Sequence, residues 1–138
     1  MTAARFSSVE DLLADARSRL DRLYVEDVRA ALAAGQRLVD IRPAWQRAGE
    51  GEIPGSLIVE RNHLEWRLHP ASAARLAQAR VGQRWIVVCS EGYTSSLAAD
   101  ALNSLGVPAS DLVGGFRAWE AARLPISRTV TDAGDLVP

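Results

Sequence analysis

A single cysteine, Cys89, closes the apolar run Trp85-Ile-Val-Val and opens the stretch Cys89-Ser90-Glu91-Gly92-Tyr93-Thr94-Ser95-Ser96-Leu97. Residue types in this order can carry nucleophilic chemistry. A buried strand ending in cysteine delivers the thiol to the carboxyl edge of a sheet, where open parallel sheets bind ligands. A short loop then leads into a helix, and Gly92 allows it a turn that a Cβ would hinder. Successive loop N–H groups and the helix N-terminus present partial positive charge to the loop's centre, which favours the nucleophilic thiolate. Thr94, Ser95 and Ser96 suit helix capping, and their hydroxyls could also donate to a bound anion. The plainer alternative is a small buried hydrophobe at a strand end, as lone cysteines in apolar runs usually are. On pattern alone both readings stand.

Composition removes other chemistries. All 16 basic residues are Arg, so Schiff-base catalysis and a phosphate-binding P-loop, which both need Lys, are excluded. The Ala-rich, Lys-free composition fits a GC-rich bacterial coding sequence. One cysteine and two His cannot form an internal disulfide or a cysteine-rich zinc site. With 17 acidic residues the formal net charge is −1, so no basic face for nucleic acid is expected. No apolar run approaches the ~20 residues of a membrane span, and the N-terminus lacks a secretory leader's apolar block. A small cytoplasmic domain is the expectation; the 138 residues are one domain's worth.

The elements that must position Cys89 follow from periodicity. Ser7, three residues before Glu10, looks like a capping box, and Val9, Leu12, Leu13, Ala16 and Leu20 recur at helical spacing. A helix over about 26–34 stops at Gly35. Continuous apolar runs at 38–41, 57–59, 85–88 and, more weakly, 111–113 read as strands covered on both faces. Helical patterns cover 64–68, 71–79, 97–105 and 116–122, and alternation of helix and strand predicts an α/β domain with a mostly parallel sheet. The last ten or so residues, with Gly134 and Pro138, read as a loose tail.

At this point four motifs in order resemble the rhodanese-like family. Asp40-Ile-Arg42 is similar to its Asp-x-Arg strand end, and Gly51-Glu-Ile-Pro-Gly-Ser56 to its Gly-His-Ile-Pro-Gly-Ala segment. Cys89 to Thr94 is similar to its six-residue active-site loop, and Gly114-Gly-Phe-Arg-Ala-Trp119 to its closing Gly-Gly-x-x-x-Trp motif. The resemblance implies a three-layer α/β domain over residues 22–126, with a central sheet of about five strands flanked by helices. Residues 1–21 would be a helical extension and 127–138 the tail. It further implies a single-domain sulfurtransferase in which Cys89 takes sulfane sulfur from a small donor as a persulfide and passes it to an external thiol or cyanide. Ser90, Glu91, Gly92, Tyr93, Thr94 and Ser95 would form the active-site loop, and neither metal nor organic cofactor is needed. A non-catalytic rhodanese-like binding, regulatory or redox-sensing module is the alternative.

The chain departs from the family at instructive places. Position 95, where related cysteine phosphatases carry a phosphate-holding Arg, is Ser, which argues against phosphatase chemistry. Glu91 puts a negative charge in the loop and Glu52 replaces the usual His, so thiosulfate is disfavoured as the natural donor. Asp40 and Arg42 have two readings, a structural pair or an anchor for an anionic donor, and the structural one is favoured. Arg47 and Arg61 are further candidates, Arg61 within a stretch, 61–84, of formal charge +4. His63 is a possible proton carrier, with surface decoration the plainer reading. Trp45, Trp66, Trp85 and Trp119 are expected to pack. The first helix either covers the domain or offers its leucine stripe to a protein partner.

Overall fold

The run Trp85–Val88 is the most buried strand of the molecule, each residue no more than 1% exposed, because it lies between two neighbours and between two layers of helices. The computed structural model describes residues 3–133. Its elements are α1 (Val9–Arg17), α2 (Val25–Ala33), β1 (Arg37–Asp40), α3 (Ala44–Glu50), β2 (Leu57–Ile58), a 3-10 turn (Arg61–His63), α4 (Leu64–Leu68), β3 (Trp85–Val88), α5 (Thr94–Ser104), β4 (Ala109–Asp111) and α6 (Gly115–Ala121). The sheet runs β2-β1-β3-β4, all parallel, with Asp40 opposite Val88 and Asp111 opposite Val87.

Alternation along β3 divides the core. Trp85 and Val87 face Leu64, Leu68, Ala98, Ala99 and Leu102, whereas Ile86 and Val88 face Val28, Ala31, Leu112, Phe116 and Trp119. Each fully buried Ile or Val contributes roughly 1.5–3 kcal/mol. The continuous apolar run therefore reports a strand covered on both faces, in the three-layer arrangement expected. Helix α1 adds a further layer by packing on α5, with Ala16 buried. Among the described residues no helix is long and apolar enough to cross a membrane.

Several expectations are corrected. The sheet has four strands, not about five. Beyond β4 the chain makes only a single bridge, Leu23 to Leu112, before Tyr24 turns it into α2. The last strand is 109–111 rather than 111–113. Residues 71–79 are turns, not helix. There His69 Nδ1 accepts from the N–H of Ala71, Ser72 Oγ accepts from Ala74, and Arg67 donates to the Ala74 carbonyl. These side chains take the backbone groups a helix would use. Helix α1 is capped by Ser8, which accepts from the Asp11 N–H at 3.0 Å, while Ser7 Oγ donates to the Asp11 carboxylate. Trp45 and Trp66 are 76% and 51% exposed, so of the four tryptophans only Trp85 and Trp119 are buried. Helix α3 has no counterpart in the sequence-based reading. The expected loose tail is tied down at its start, with Ser127 bridging Glu52 and Thr131 bonded to the Glu52 carboxylate; Gly134 and Pro138 lie outside the described residues.

Candidate active site

Strand β3 ends one residue before Cys89, and the chain then wraps around the sulfur. Sγ accepts from the Gly92 N–H at 3.2 Å and the Ser95 N–H at 3.3 Å. This ring needs Gly92 at φ +86°, and a Cβ there would lie 2.8 Å from the Gly114 nitrogen. The outward carbonyls of the loop are met by the start of α6, where Phe116 N–H donates to Cys89 O at 2.9 Å and Arg117 N–H to Ser90 O at 3.0 Å. So close an approach requires Gly115, whose Cβ would fall 2.5 Å from the Cys89 carbonyl oxygen. The closing Gly-Gly motif thus serves the cysteine loop directly.

A cavity of about 370 Å³ opens over the thiol, lined by Gln46, Glu50, Cys89, Ser90, Glu91, Tyr93, Thr94 and Arg117. Glu91 and Tyr93 are exposed at its edge. Glu50 lies deeper. It accepts from the Ser90 hydroxyl at 2.9 Å and from Arg42 at 2.9 Å, with the half-exposed Arg117 at 3.4 Å. Burial works against its charge, but the hydrogen bonds from Arg42 and Ser90 prevail and hold its carboxyl below the ordinary carboxylate range. Two carboxylates and one guanidinium therefore line the approach to the sulfur.

The remaining candidates lie behind or outside this cavity. Asp40 and Arg42, 1% and 2% exposed, form a bidentate pair with contacts of 2.6 and 3.0 Å. Arg42 also donates to the Gly51 carbonyl and stacks on Phe116. Arg47 is equally buried and donates to Glu52 at 2.6 Å and to the carbonyls of Arg42 and Thr131. All of these donors are spent within the fold. Arg61 pairs with Glu65 at 2.8 Å on the surface, and neither it nor His63 lines the cavity. Among the described residues no group of His, Cys, Asp and Glu could hold a metal ion.

Four residues that matter here went unassigned in the sequence. Glu50 and Arg117 line the cavity; Arg17 and Arg22 donate to the Gly92 carbonyl at 2.7 and 3.0 Å from outside the loop. Arg22 also chelates the fully buried Asp111, which accepts from Ser95 Oγ and Ser96 Oγ at 2.8 Å each. Ser95 therefore contributes its N–H to sulfur and its hydroxyl to Asp111. Only the position of Arg117 inside the Gly-Gly-x-x-x-Trp motif was a usable signal.

A parallel α/β sheet that ends a central strand in a cysteine ringed by backbone N–H groups defines a class of cysteine-loop domain. The rhodanese-like domain model matches residues 24–122, and the chain belongs to the rhodanese-like family. Among solved structures, a Rhodopseudomonas palustris protein of unknown function, described as a possible tyrosine phosphatase, is 29% identical with a TM-score of 0.79. That match covers 92% of this chain and 99% of the other. A human single-domain sulfurtransferase is 27% identical with a TM-score of 0.61, over 72% of this chain and 95% of its own. A thiosulfate sulfurtransferase from Pseudomonas aeruginosa is 25% identical with a TM-score of 0.63, over 81% of this chain and 20% of its own. No curated protein matches.

Proposed function

We propose that the protein is a sulfurtransferase working through a Cys89 persulfide. The observation that carries this reading is the pair of N–H bonds from Gly92 and Ser95 to the cysteine sulfur at the floor of an open cavity. The thiolate attacks the outer, sulfane sulfur of a donor; the new S–S bond forms as the donor's own bond to that sulfur breaks, and the donor leaves with the electron pair. The persulfide's terminal sulfur carries negative charge, which the loop N–H groups stabilise as oxyanion donors do. An external thiolate then attacks that sulfur, forms its own persulfide and restores Cys89, so kinetics are ping-pong. The acceptor is external because Cys89 is the only cysteine.

Glu50 and Glu91 set the donor's charge. With one guanidinium against two carboxylates at the cavity, a mercaptopyruvate-type donor, which carries a single charge, fits better than the dianions thiosulfate and polysulfide. Phosphate-ester cleavage, suggested by the description of the Rhodopseudomonas palustris protein, has less support. Ser95 stands where the loop would need an arginine to clasp phosphate, and its hydroxyl is engaged by Asp111.

Intact-protein mass after incubation with each donor tests the reading, with Cys89→Ala as control. One added sulfur, absent in the variant and removable by cyanide or thiol, is expected. No sulfur taken up from any donor by folded, reduced protein would overturn it in favour of a non-catalytic binding or redox-sensing module.

A further inference from the structure

Two arginines that precede the matched domain, Arg17 and Arg22, end on one atom of the active-site loop, the Gly92 carbonyl oxygen. A third candidate donor is occupied elsewhere. Ser96 Oγ has a single proton, and Asp111 at 2.8 Å takes it in preference to Gly92 O at 3.3 Å. Arg17 Nε in turn donates to Ser96 Oγ at 3.0 Å, so the same guanidinium holds the loop and the first turn of α5 together. The carbonyl is thus left to the two cations.

The consequence reaches sulfur in one residue. Gly92 is held at both ends, its N–H on Cys89 Sγ and its carbonyl on Arg17 and Arg22. Its φ of +86° is open to glycine without strain but equally leaves it free to turn elsewhere. The peptide joining Gly92 to Tyr93 is trans, so drawing its carbonyl outward turns the Tyr93 N–H the opposite way. Charge-assisted bonds of this kind are about twice as strong as neutral ones.

We infer that Arg17, from the N-terminal helix, is a positioning residue for the Cys89 loop, acting with Arg22 through the Gly92 carbonyl to keep the loop's N–H groups on the nucleophile. Helix α1 is then a working part of the active site and not only a cover. The inference concerns the same site as the sulfurtransferase reading, but its test requires no sulfur transfer.

Arg17→Gln, Arg17→Lys and Arg19→Gln in the full chain, with iodoacetamide as the probe of Cys89, separate the loop contact from simple docking of α1. Arg19, two residues beyond the end of α1, joins Asp15 of that helix to Asp100 of α5, at 2.8 Å each, without touching the loop. Arg17→Gln is expected to slow alkylation about fivefold, the loss of one hydrogen bond to a charged group partly replaced by Arg22. It should also speed amide hydrogen exchange in residues 90–96. Arg17→Lys should recover at least half of the lost rate, and serves as the test variant if the Gln protein does not fold. Arg19→Gln should alkylate as the parent does. Alkylation at the parent rate in Arg17→Gln, or equal slowing in Arg19→Gln, would overturn the inference. A parent protein that takes up no sulfur while Arg17→Gln still slows alkylation would sink the sulfurtransferase reading alone.

Discussion

Two groups of arginines flank the carboxyl edge of the sheet, and they do opposite things with the same chemistry. On the β1 side, Arg42 and Arg47 are buried and end mainly on carboxylates, those of Asp40, Glu50 and Glu52. On the β4 side, Arg17 and Arg22 keep one donor each for a loop carbonyl. The remaining donors of Arg42 and Arg47 end on the carbonyls of Gly51, Arg42 and Thr131, so neither arginine reaches the cysteine loop, whereas Arg22 binds Asp111 and still holds Gly92. A guanidinium that faces a loop's backbone oxygen transmits its position to whatever that backbone holds. The motif position of an arginine does not distinguish these cases; its partners do.

The sharpest way to break the comparison is to unpair the β1 side. Glu52→Ala leaves Arg47 charged and buried with only Glu60, 3.9 Å away, as a carboxylate, and should cost roughly 3 kcal/mol of stability by urea denaturation. Alkylation of Cys89 per folded molecule should stay within about twofold of the parent, because no donor of Arg47 touches the loop. A loss of stability under about 1 kcal/mol would show that Thr131 and the backbone carbonyls suffice for Arg47.

Acid should act on the same side, more gradually. For Glu52, burial raises the carboxyl's proton affinity, but the bonds from Thr131 and Arg47 outweigh it and hold the group below its ordinary 4.5. Glu50 is lowered as well. A carboxyl lowered in the folded state binds its proton more readily once unfolded. The stability it contributes is therefore fully present above the ordinary carboxylate range and is lost as pH falls through the folded value. The urea midpoint should fall between about pH 5 and pH 3, and Glu52→Gln should flatten that fall. An unchanged slope in the variant would remove Glu52 from the account.

The smallest effect belongs to the cavity edge. Glu91 is exposed, so Glu91→Gln should raise the alkylation rate with anionic iodoacetate, relative to neutral iodoacetamide, by only about twofold to threefold at low salt. A ratio unmoved by the substitution would mean that Glu91 does not set the charge of the approach.

The cysteine at the end of an apolar strand, the loop, and the helix beyond it were legible because strand and helix have strong periods. Four family motifs, each weak alone, gave the order of the rest. Glu50 was not legible, because α3 is only seven residues long and carries Trp45 on its outside, so no apolar stripe marks it. The turns of 71–79 were read as helix because local capping by His69 and Ser72 leaves no trace in an apolar pattern. Arg17 looked like one charge among several on a solvated face. Its partner is 75 residues away, and nothing short of the packing of α1 on α5 could bring the two together.

The ring around Cys89 has a consequence for the order in which the molecule can be assembled. Its outer carbonyls are bonded by residues 116 and 117, and its Gly92 carbonyl by residues 17 and 22, so the parts come from the far end of the matched domain and from the segment before it. A nascent chain that has emerged only as far as the cysteine holds a thiol on a strand whose β4 neighbour has not yet formed. The ring around the sulfur is therefore completed late, after the sheet has closed over β4 and α6 has docked. Loop closures of this length slow folding. Until the ring closes, the Cys89 sulfur lacks the N–H donors of Gly92 and Ser95.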